Sequence, residues 1–579
     1  SAGGTLTPGS GGAGTLTING NLVLGGGSQL AFEFGQANTV GGALNDLVNV
    51  GGNLTLDGTL NVTVPAGGSF GIGLYRVFSY GGTLTDNGLT LGSMPAGGNV
   101  FVQTGIAGQV NLINTGGATL NYWDGAAGPK FDNVINGANG IWQNSAGNDN
   151  WTDATGAVNA AFTDNAVAIF SAAAGTVTVD NSLGTVSAGG MQFASDGYII
   201  TGAPLTLTGA QASIRVGDGS AAGAGFTATI ASVLTGASQL IKMDAGTLVL
   251  TGANSYAGGT RIDGGTLRIG NGGATGSITG DILNNAALVV NRTGTLTLDG
   301  TISGTGTLTQ LGGGLLILTG TNSYAGGTTI GLSTVRVSSD ANLGDIAGAL
   351  SLQGSTLQAG ASFTSARTIL LGGANSNRID TQGFDVTLTG AIGNGPGNQP
   401  GNFLDKLGAG TLTLTGANSY ANRTLIAGGT LALAGAGTIG AGNLIVAPGT
   451  VFDISQTDVG ARIVQLNSGP AGTIALGSKL LTLGLTASFS DWSGTITDGG
   501  IGGGTGGRVV ITAPAGAVRF FEANSYTGGT TIAAGTLELN GNGSLYSGGA
   551  LTINSGLFSI TGLAGGGTTI RDLSGSGGI

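Results

Sequence analysis

Along Gly246–Gly270 the chain reads GTLVLTGANSYAGGTRIDGGTLRIG, where apolar and polar positions alternate for a few residues and then break at glycine. In TLVLT, Leu248 and Leu250 fall on one side of an extended strand and Thr247, Val249 and Thr251 on the other. One buried face and one largely wet face are expected. The alternation recurs in TLTI (Thr15–Ile18), NLTL (Asn53–Leu56), TLNVTV (Thr59–Val64), TLTL (Thr295–Leu298) and TLTLT (Thr411–Thr415), and the runs LAFEF, DLVNV and LYRVFSY read as strands too. Apolar positions at three- and four-residue spacing are not sustained, and each glycine inside a helix would cost about 1 kcal/mol. The class read from the pattern is all-β.

Two all-β architectures compete, antiparallel sandwiches or barrels in series and a solenoid that winds one strand above the next. The connections are mostly short glycine-rich corners between very short strands, not the two-residue Asn-Gly or Asp-Gly loops of hairpins. Such corners suit a coil that bends about three times per circuit, pairs its strands in parallel and fills a narrow interior with Leu, Ile and Val. The prediction is a right-handed parallel β-helix. At about 20 to 25 residues per circuit and about 4.8 Å per step, the chain would make a rod on the order of 110 to 140 Å.

The triplet Asn-Ser-Tyr occurs at Asn254–Tyr256, Asn322–Tyr324, Asn418–Tyr420 and Asn524–Tyr526. These copies mark one kind of corner. The expectation is that Asn bonds its local backbone, Tyr covers the corner and the glycines that follow adopt positive φ. The interior is expected to be apolar and free of charge.

Composition fits this frame. The 579 residues include 121 glycines, 8% charged residues, 40% hydrophobic residues, no cysteine and no histidine. Disorder pairs low hydrophobicity with high net charge, and this chain has neither the composition nor the aperiodicity for it. Lack of cysteine removes any disulfide framework and suits export through an oxidising periplasm. The net charge of −11 is spread thinly, with no run of Lys or Arg to neutralise a row of phosphates, so nucleic acid is excluded as a partner. No stretch of 18 continuous apolar residues occurs, and SAGGTLTPGS lacks the basic and apolar regions of a signal peptide.

The repeated phrases GTLVLTGANSYAGGTRI, GLLILTGTNSYAGGTTI, GTLTLTGANSYANRTLIAGGTLAL and FFEANSYTGGTTIAAGTLELN resemble the passenger-associated β-strand repeat of bacterial autotransporters, the type V secreted surface proteins of Gram-negative bacteria. Looser likeness extends over most of the chain, through GTLTPGSGGAGTLTINGNLVL, NYWDGAAGPKFDNVINGANGIWQNSAGNDNWTD and GTVTVDNSLGTVSAGGMQFASDGYIITG. The resemblance implies a β-solenoid passenger outside the cell. Family members end in an outer-membrane barrel, and none is recognisable before RDLSGSGGI. The expectation is therefore part of a longer passenger, whose parent chain is anchored by a C-terminal β-barrel, with no membrane insertion by this segment.

Three stretches are expected: a first β-helix over 1–118, an irregular junction or side loop over 119–165 holding Trp123, Trp142 and Trp151, and a main β-helix over 166–579. Gly390–Lys406 is the least regular part of the last and reads as a loop.

Without histidine or cysteine, Ser-His-Asp and Cys-His nucleophiles and the usual zinc sites are ruled out. A Ser-Lys arrangement would need Lys130, Lys242, Lys406 or Lys479, and none sits in a motif that supports it. Glycan-cleaving β-helices use clustered carboxylates. The acids here are scattered beside Gly or Asn, as in Leu56–Gly58 and Val216–Ser220, and read as solvated corners. Gly500–Val510 has the glycines of a calcium nonapeptide without its aspartates. The sequons at Asn53, Asn61, Asn150, Asn291, Asn422 and Asn542 read as unmodified. Trp123, Trp142 and Trp151 could stack on sugar rings or brace a break in the coil, and bracing is the favoured reading. No catalytic, metal or cofactor site is assigned, and the binding residues stay open.

The functional expectation is a non-enzymatic adhesin and rigid stalk making many weak contacts. Its partners would be a host or neighbouring-cell surface, a matrix glycan or protein, or copies of itself. The alternatives are a self-associating fibre or surface-layer component and, further off, a polysaccharide-cleaving enzyme.

Overall fold

The computed structural model describes residues 3–37, 39–71, 73–95, 100–104, 107–114, 120–129, 132–144, 148, 150–156, 159–396, 402–468, 472–484 and 489–578. Among these the regular elements are β-strands, short except for Arg508–Phe520 and Thr530–Gly541, and two single 3₁₀ turns. Tertiary contacts divide the chain into two compact units, Ser1–Asn271 with Thr275–Ile282, and Gly272–Ala274 with Leu283–Ile579. Each is a parallel β-solenoid.

The first unit opens with a stack of three sheets. One holds Thr5–Leu6, Gln29–Glu33, Thr59–Thr63 and Thr90–Leu91; a second holds Thr15–Ile18, Leu47–Val50 and Gly73–Tyr80; a third holds Leu22–Val23, Leu54–Leu56 and Leu84–Asp86. The chain visits all three in turn and then lies beside its previous circuit, pairing Leu30 with Leu60, Ile18 with Val50 and Leu54 with Leu84. Leu30, Phe32, Leu54, Leu60 and Val62 share the interior. The hairpin Val100–Gln103 and Gln109–Asn114 pairs antiparallel to Gly73–Tyr80 and satisfies that strand's outer edge.

Parallel winding resumes with Leu120–Trp123, Val167–Phe170, Gly190–Phe193, Gln211–Val216 and Gln239–Met243 in one sheet. Gly140–Trp142, Thr176–Val179, Ile199–Gly202, Thr227–Ile230, Thr247–Leu250 and Thr266–Ile269 form another. The two stacks of this unit meet at Arg76. Its guanidinium donates to Asn111, Ser79 and Gln109, and its Nη2 lies where a Cβ on Gly219 would intrude at 2.6 Å. Burial lowers the pKa of Arg76 to about 10, with Asp218 opposing that shift and Arg215 adding to it.

In the second unit the inward ladders run unbroken. Val386, Leu412, Leu431, Phe452, Ile474 and Ile496 stand one above another on successive strands, and all are buried. Leu315 pairs with Thr334 and Thr334 with Thr356, so a circuit takes about twenty residues. The expected loop Gly390–Lys406 is partly strand: Ile392–Asn394 pairs with Ile369–Gly372 and Leu404–Leu407 with Asn377–Asp380, while 397–401 lie outside the described residues.

Two expectations about the faces need correction. Leu248 and Leu250 point inward as read, but Val249 is also fully buried. On the outer face it lies between Thr229 and Arg268, and the aliphatic stem of an arginine covers apolar surface while its head stays wet. The interior is also not free of charge. Lys242, Lys406 and Arg367 are buried, each where a corner turns several backbone carbonyls toward one point. Arg367 Nε and Nη2 bind the Asp340 carboxylate at 2.7 and 3.1 Å, and its nitrogens also donate to the carbonyls of Leu343, Gly344 and Gly348. A guanidinium presents five donors in a fixed fork, which lets it satisfy a whole loop at once.

Candidate functional site

The Asn-Ser-Tyr corner is the most repeated polar arrangement in the chain, and its side chains work between circuits. Asn322 Oδ1 accepts from the N–H of Ile302 at 2.7 Å, and its Nδ2 donates to the carbonyl of Asn342 at 2.6 Å. Asn254, Asn418 and Asn524 repeat this, accepting from Leu234, Ile392 and Ile496 and donating to Ser277, Thr438 and Ser544. The amide therefore staples the circuit before to the circuit after. Tyrosine does not cover the corner but enters the core, where its hydroxyl meets the threonine four residues on: Tyr256 with Thr260, Tyr324 with Thr328, Tyr420 with Thr424 and Tyr526 with Thr530. Positive φ is found at Gly259, Gly327 and Gly529. A Cβ on Gly327 would also lie 2.7 Å from the carbonyl oxygen of Ala349.

Replacing Asn322 with Ala leaves the Ile302 N–H and the Asn342 carbonyl without their partner in a buried corner. The expected loss is about 2 kcal/mol or more. Hydrogen exchange should show it first at the Ile302 amide, with circuits far from the corner unchanged.

Lys242 and Lys406 occupy equivalent places ahead of two of these corners. Lys242 Nζ donates to the carbonyls of Met243, Asp244 and Gly264, and Lys406 Nζ to Leu407, Gly408, Gly428 and the Thr381 hydroxyl. Gln310 holds the same place ahead of Asn322 and donates to Gly314. Both ammonium groups are engaged in closing corners, not poised beside a serine nucleophile. Lys479 is partly exposed, and Lys130 lies outside the described residues.

Burial lowers both lysine pKa values from 10.5 to about 8, with the Asp244 carboxylate opposing it at Lys242 and Asp380 at Lys406. Between those values the unfolded chain holds more protons than the folded one, so stability rises with pH across that window. The corner tyrosines act in the other direction. Burial raises the pKa of Tyr256, Tyr420 and Tyr526, and that of Tyr324 to about 12, so above pH 10 the unfolded chain loses protons the folded chain keeps. With no histidine or cysteine to titrate in between, the thermal midpoint should climb from about pH 8, crest near 10 and fall beyond it. A steady fall from pH 8 upward would contradict this.

Trp123, Trp142 and Trp151 are all buried. Trp151 lies 5.1 Å from Trp123, 5.0 Å from Trp142 and 4.6 Å from Phe162, measured between ring centroids, and Phe170 contacts all three indoles. Trp123 Nε1 donates to the carbonyl of Ala138. Leu120–Trp123 pairs in parallel with Val167–Phe170 and antiparallel with Trp151–Thr152, so the rings fill the place where the winding changes direction. They offer no face to a ligand.

The isolated acids are corner residues. Asp57 accepts from the N–H of Gly58, and Asp218 from the N–H and hydroxyl of Ser220. In the glycine-rich stretch Gly500–Val510, amides at Ile501, Gly506 and Gly507 are taken by the carboxylates of Asp453 and Asp498. Among the described residues no group of three or more His, Cys, Asp or Glu could hold a metal ion. Of the sequons, Asn53 and Asn61 bond the next circuit at Thr83 and Ser93.

What remains available for contact is the outer face of each sheet, where side chains line up at the strand spacing of about 4.8 Å. Thr309, Thr329 and Ser351 make one hydroxyl ladder, and Thr364, Thr387 and Thr413 another. Arg336, Gln358 and Asp380 form a linked polar ladder, with Arg336 Nε 2.6 Å from Gln358 Oε1 and Gln358 Nε2 3.0 Å from Asp380 Oδ2. Such rows present many similar shallow positions and no deep pocket.

The profile of the passenger-associated-transport-repeat family matches residues 240–269, 308–331, 404–433 and 515–539, and each match includes an Asn-Ser-Tyr corner with the strand that follows it. Across 396 residues the chain is 45% identical to an adhesin BmaC autotransporter of Brucella suis biovar 1 (strain 1330). The chain carries the repeats of autotransporter passengers and is similar to part of an autotransporter adhesin. The aligned part covers 53% of this chain and 12% of that relative, so the chain corresponds to a small fraction of the relative's length. No solved structure matches the chain. No helix among the described residues is long and apolar enough to cross a membrane.

Proposed function

We propose that the chain acts outside the cell, at the bacterial surface, as an adhesin and rigid stalk without enzymatic activity. The identity to an autotransporter adhesin over 396 residues carries this reading. The outer-face ladders support it physically: they repeat one weak polar contact many times, and repeated weak contacts add through avidity. On this reading residues 119–165 are a junction between solenoid stretches 1–118 and 166–579. Partners would be a cell surface, a matrix glycan or a matrix protein.

The test is attachment of beads carrying the purified chain at graded density to epithelial cells and to matrix-coated glass. Retention under flow should rise more steeply than in proportion to density. Retention equal to that of bare beads would remove the adhesin reading, and particle size growing with concentration in solution would favour a self-associating fibre instead.

A further inference from the structure

The sequence offers tryptophan as an aromatic platform, and the structure buries it. An exposed aromatic ring sits elsewhere, in a more ordered chemical setting. In the strand Phe489–Trp492, Ser490 and Trp492 point inward, while Phe489 is 51% exposed and Asp491 stands beside it on the outer face. The strands that follow extend this face into two columns. Phe489, Ala517, Thr536 and Leu557 form one, and Asp491, Arg519, Glu538 and Ser559 form the other.

Within this patch the guanidinium carbon of Arg519 lies 4.5 Å above the Phe489 ring. Its Nε is 3.0 Å from Glu538 Oε2 and its Nη1 3.5 Å from Asp491 Oδ1. Asp491 Oδ1 is shielded from solvent on the Arg519 side, while the Asp491 side chain as a whole is 45% exposed. Trp492 and Phe520 are fully buried underneath, so the strands that carry the patch rest on packed rings. Phe489 and Leu557, both exposed, stand three strand steps or about 14 Å apart. Between them Ala517 and Thr536 leave a shallow floor.

We infer that this patch is a subsite for neutral glycan. A sugar ring presents an apolar C–H face and, at its edge, adjacent hydroxyls that each donate and accept. The free side of Phe489 suits the first, and the alternating carboxylate, guanidinium and carboxylate suit the second. Charge decides the class. Two carboxylates around one guanidinium repel a sulfated or carboxylated saccharide, and Arg519 already supplies the cation that a basic peptide would bring. The floor is long enough for about two or three sugar units. This inference rests on the contact-surface reading above and narrows it to one place and one ligand class.

The experiment titrates the full chain with neutral hexasaccharides of glucose, mannose and N-acetylglucosamine and with a sulfated hexasaccharide, following saturation transfer to the sugar protons. At least one neutral sugar should bind and the sulfated one should not. Phe489→Ala and Phe489→Leu should each weaken binding about tenfold or more, the loss expected at a central aromatic contact. The leucine variant keeps an apolar side chain if the alanine variant disturbs the strand, and Phe384→Ala, at an exposed phenylalanine elsewhere in the unit, should bind as the parent does. Binding by none of the neutral sugars, binding of the sulfated sugar alone, or parent-like binding by Phe489→Leu would overturn the inference. If beads still attach to cells while no neutral sugar binds, the subsite fails and the adhesin reading stands.

Discussion

Leu248→Asp should open the circuits around it, whereas Thr247→Asp, one residue away, should change little. Leu248 stands in an inward ladder between Ala228 and Leu267 and has no exposed surface. A carboxylate there meets only apolar neighbours, and its cost exceeds about 4 kcal/mol. Thr247 sits on the outer face between Thr227 and Thr266 and is partly exposed. The same contrast is expected between Leu412→Asp, which falls between Val386 and Leu431, and Thr413→Asp. Hydrogen exchange over residues 227–269 reads the first pair, because a solenoid couples mainly nearest neighbours and distant circuits should keep their protection. Equal loss at the two faces would mean the register is wrong.

Trp151→Ala should be the most damaging of the three tryptophan substitutions. The ring contacts Trp123, Trp142, Phe162 and Phe170, so its loss opens a cavity at the centre of an aromatic cluster. Large aromatic to alanine changes in cores cost about 3–5 kcal/mol. The measurement is the thermal midpoint together with bead attachment by the variant at a temperature where it stays folded. Stability should fall and attachment should not; attachment lost with stability intact would return the cluster to the role of a ligand platform.

Most of the winding was legible because alternation over three to five residues is dictated by a sheet with one buried face, as at Leu248 and Leu250. The corners were legible as corners but not in their bonding. Nothing local to Asn322 announces that its amide bonds Ile302 on one side and Asn342 on the other, since both partners lie about one circuit away in sequence. The buried lysines left a signal that alternation alone does not use: Lys242 and Lys406 stand the same distance before Asn254 and Asn418, with Gln310 matching them before Asn322. The tryptophans declared a cluster without declaring which way its rings faced. Phe489 was readable in principle, because the parity of FSDW puts Phe489 with Asp491 and opposite Trp492. What the strand's own residues do not carry is which strand lies beside it, and hence Arg519 and Glu538.

The close approach of successive corners has a consequence for how such a chain can change over generations. A Cβ on Gly306 would lie 2.3 Å from the Ala286 carbonyl oxygen, one on Gly320 2.3 Å from that of Gly300, and one on Gly326 2.5 Å from that of Gly306. Each corner glycine is held in place by the glycine or alanine one circuit earlier, so point substitutions there are purged in series along the chain. Thr329 and Ser351 on the outer face carry no such constraint. Inherited variation should therefore fall in stripes, and a lineage can exchange what its surface recognises while every copy keeps winding on the same thread.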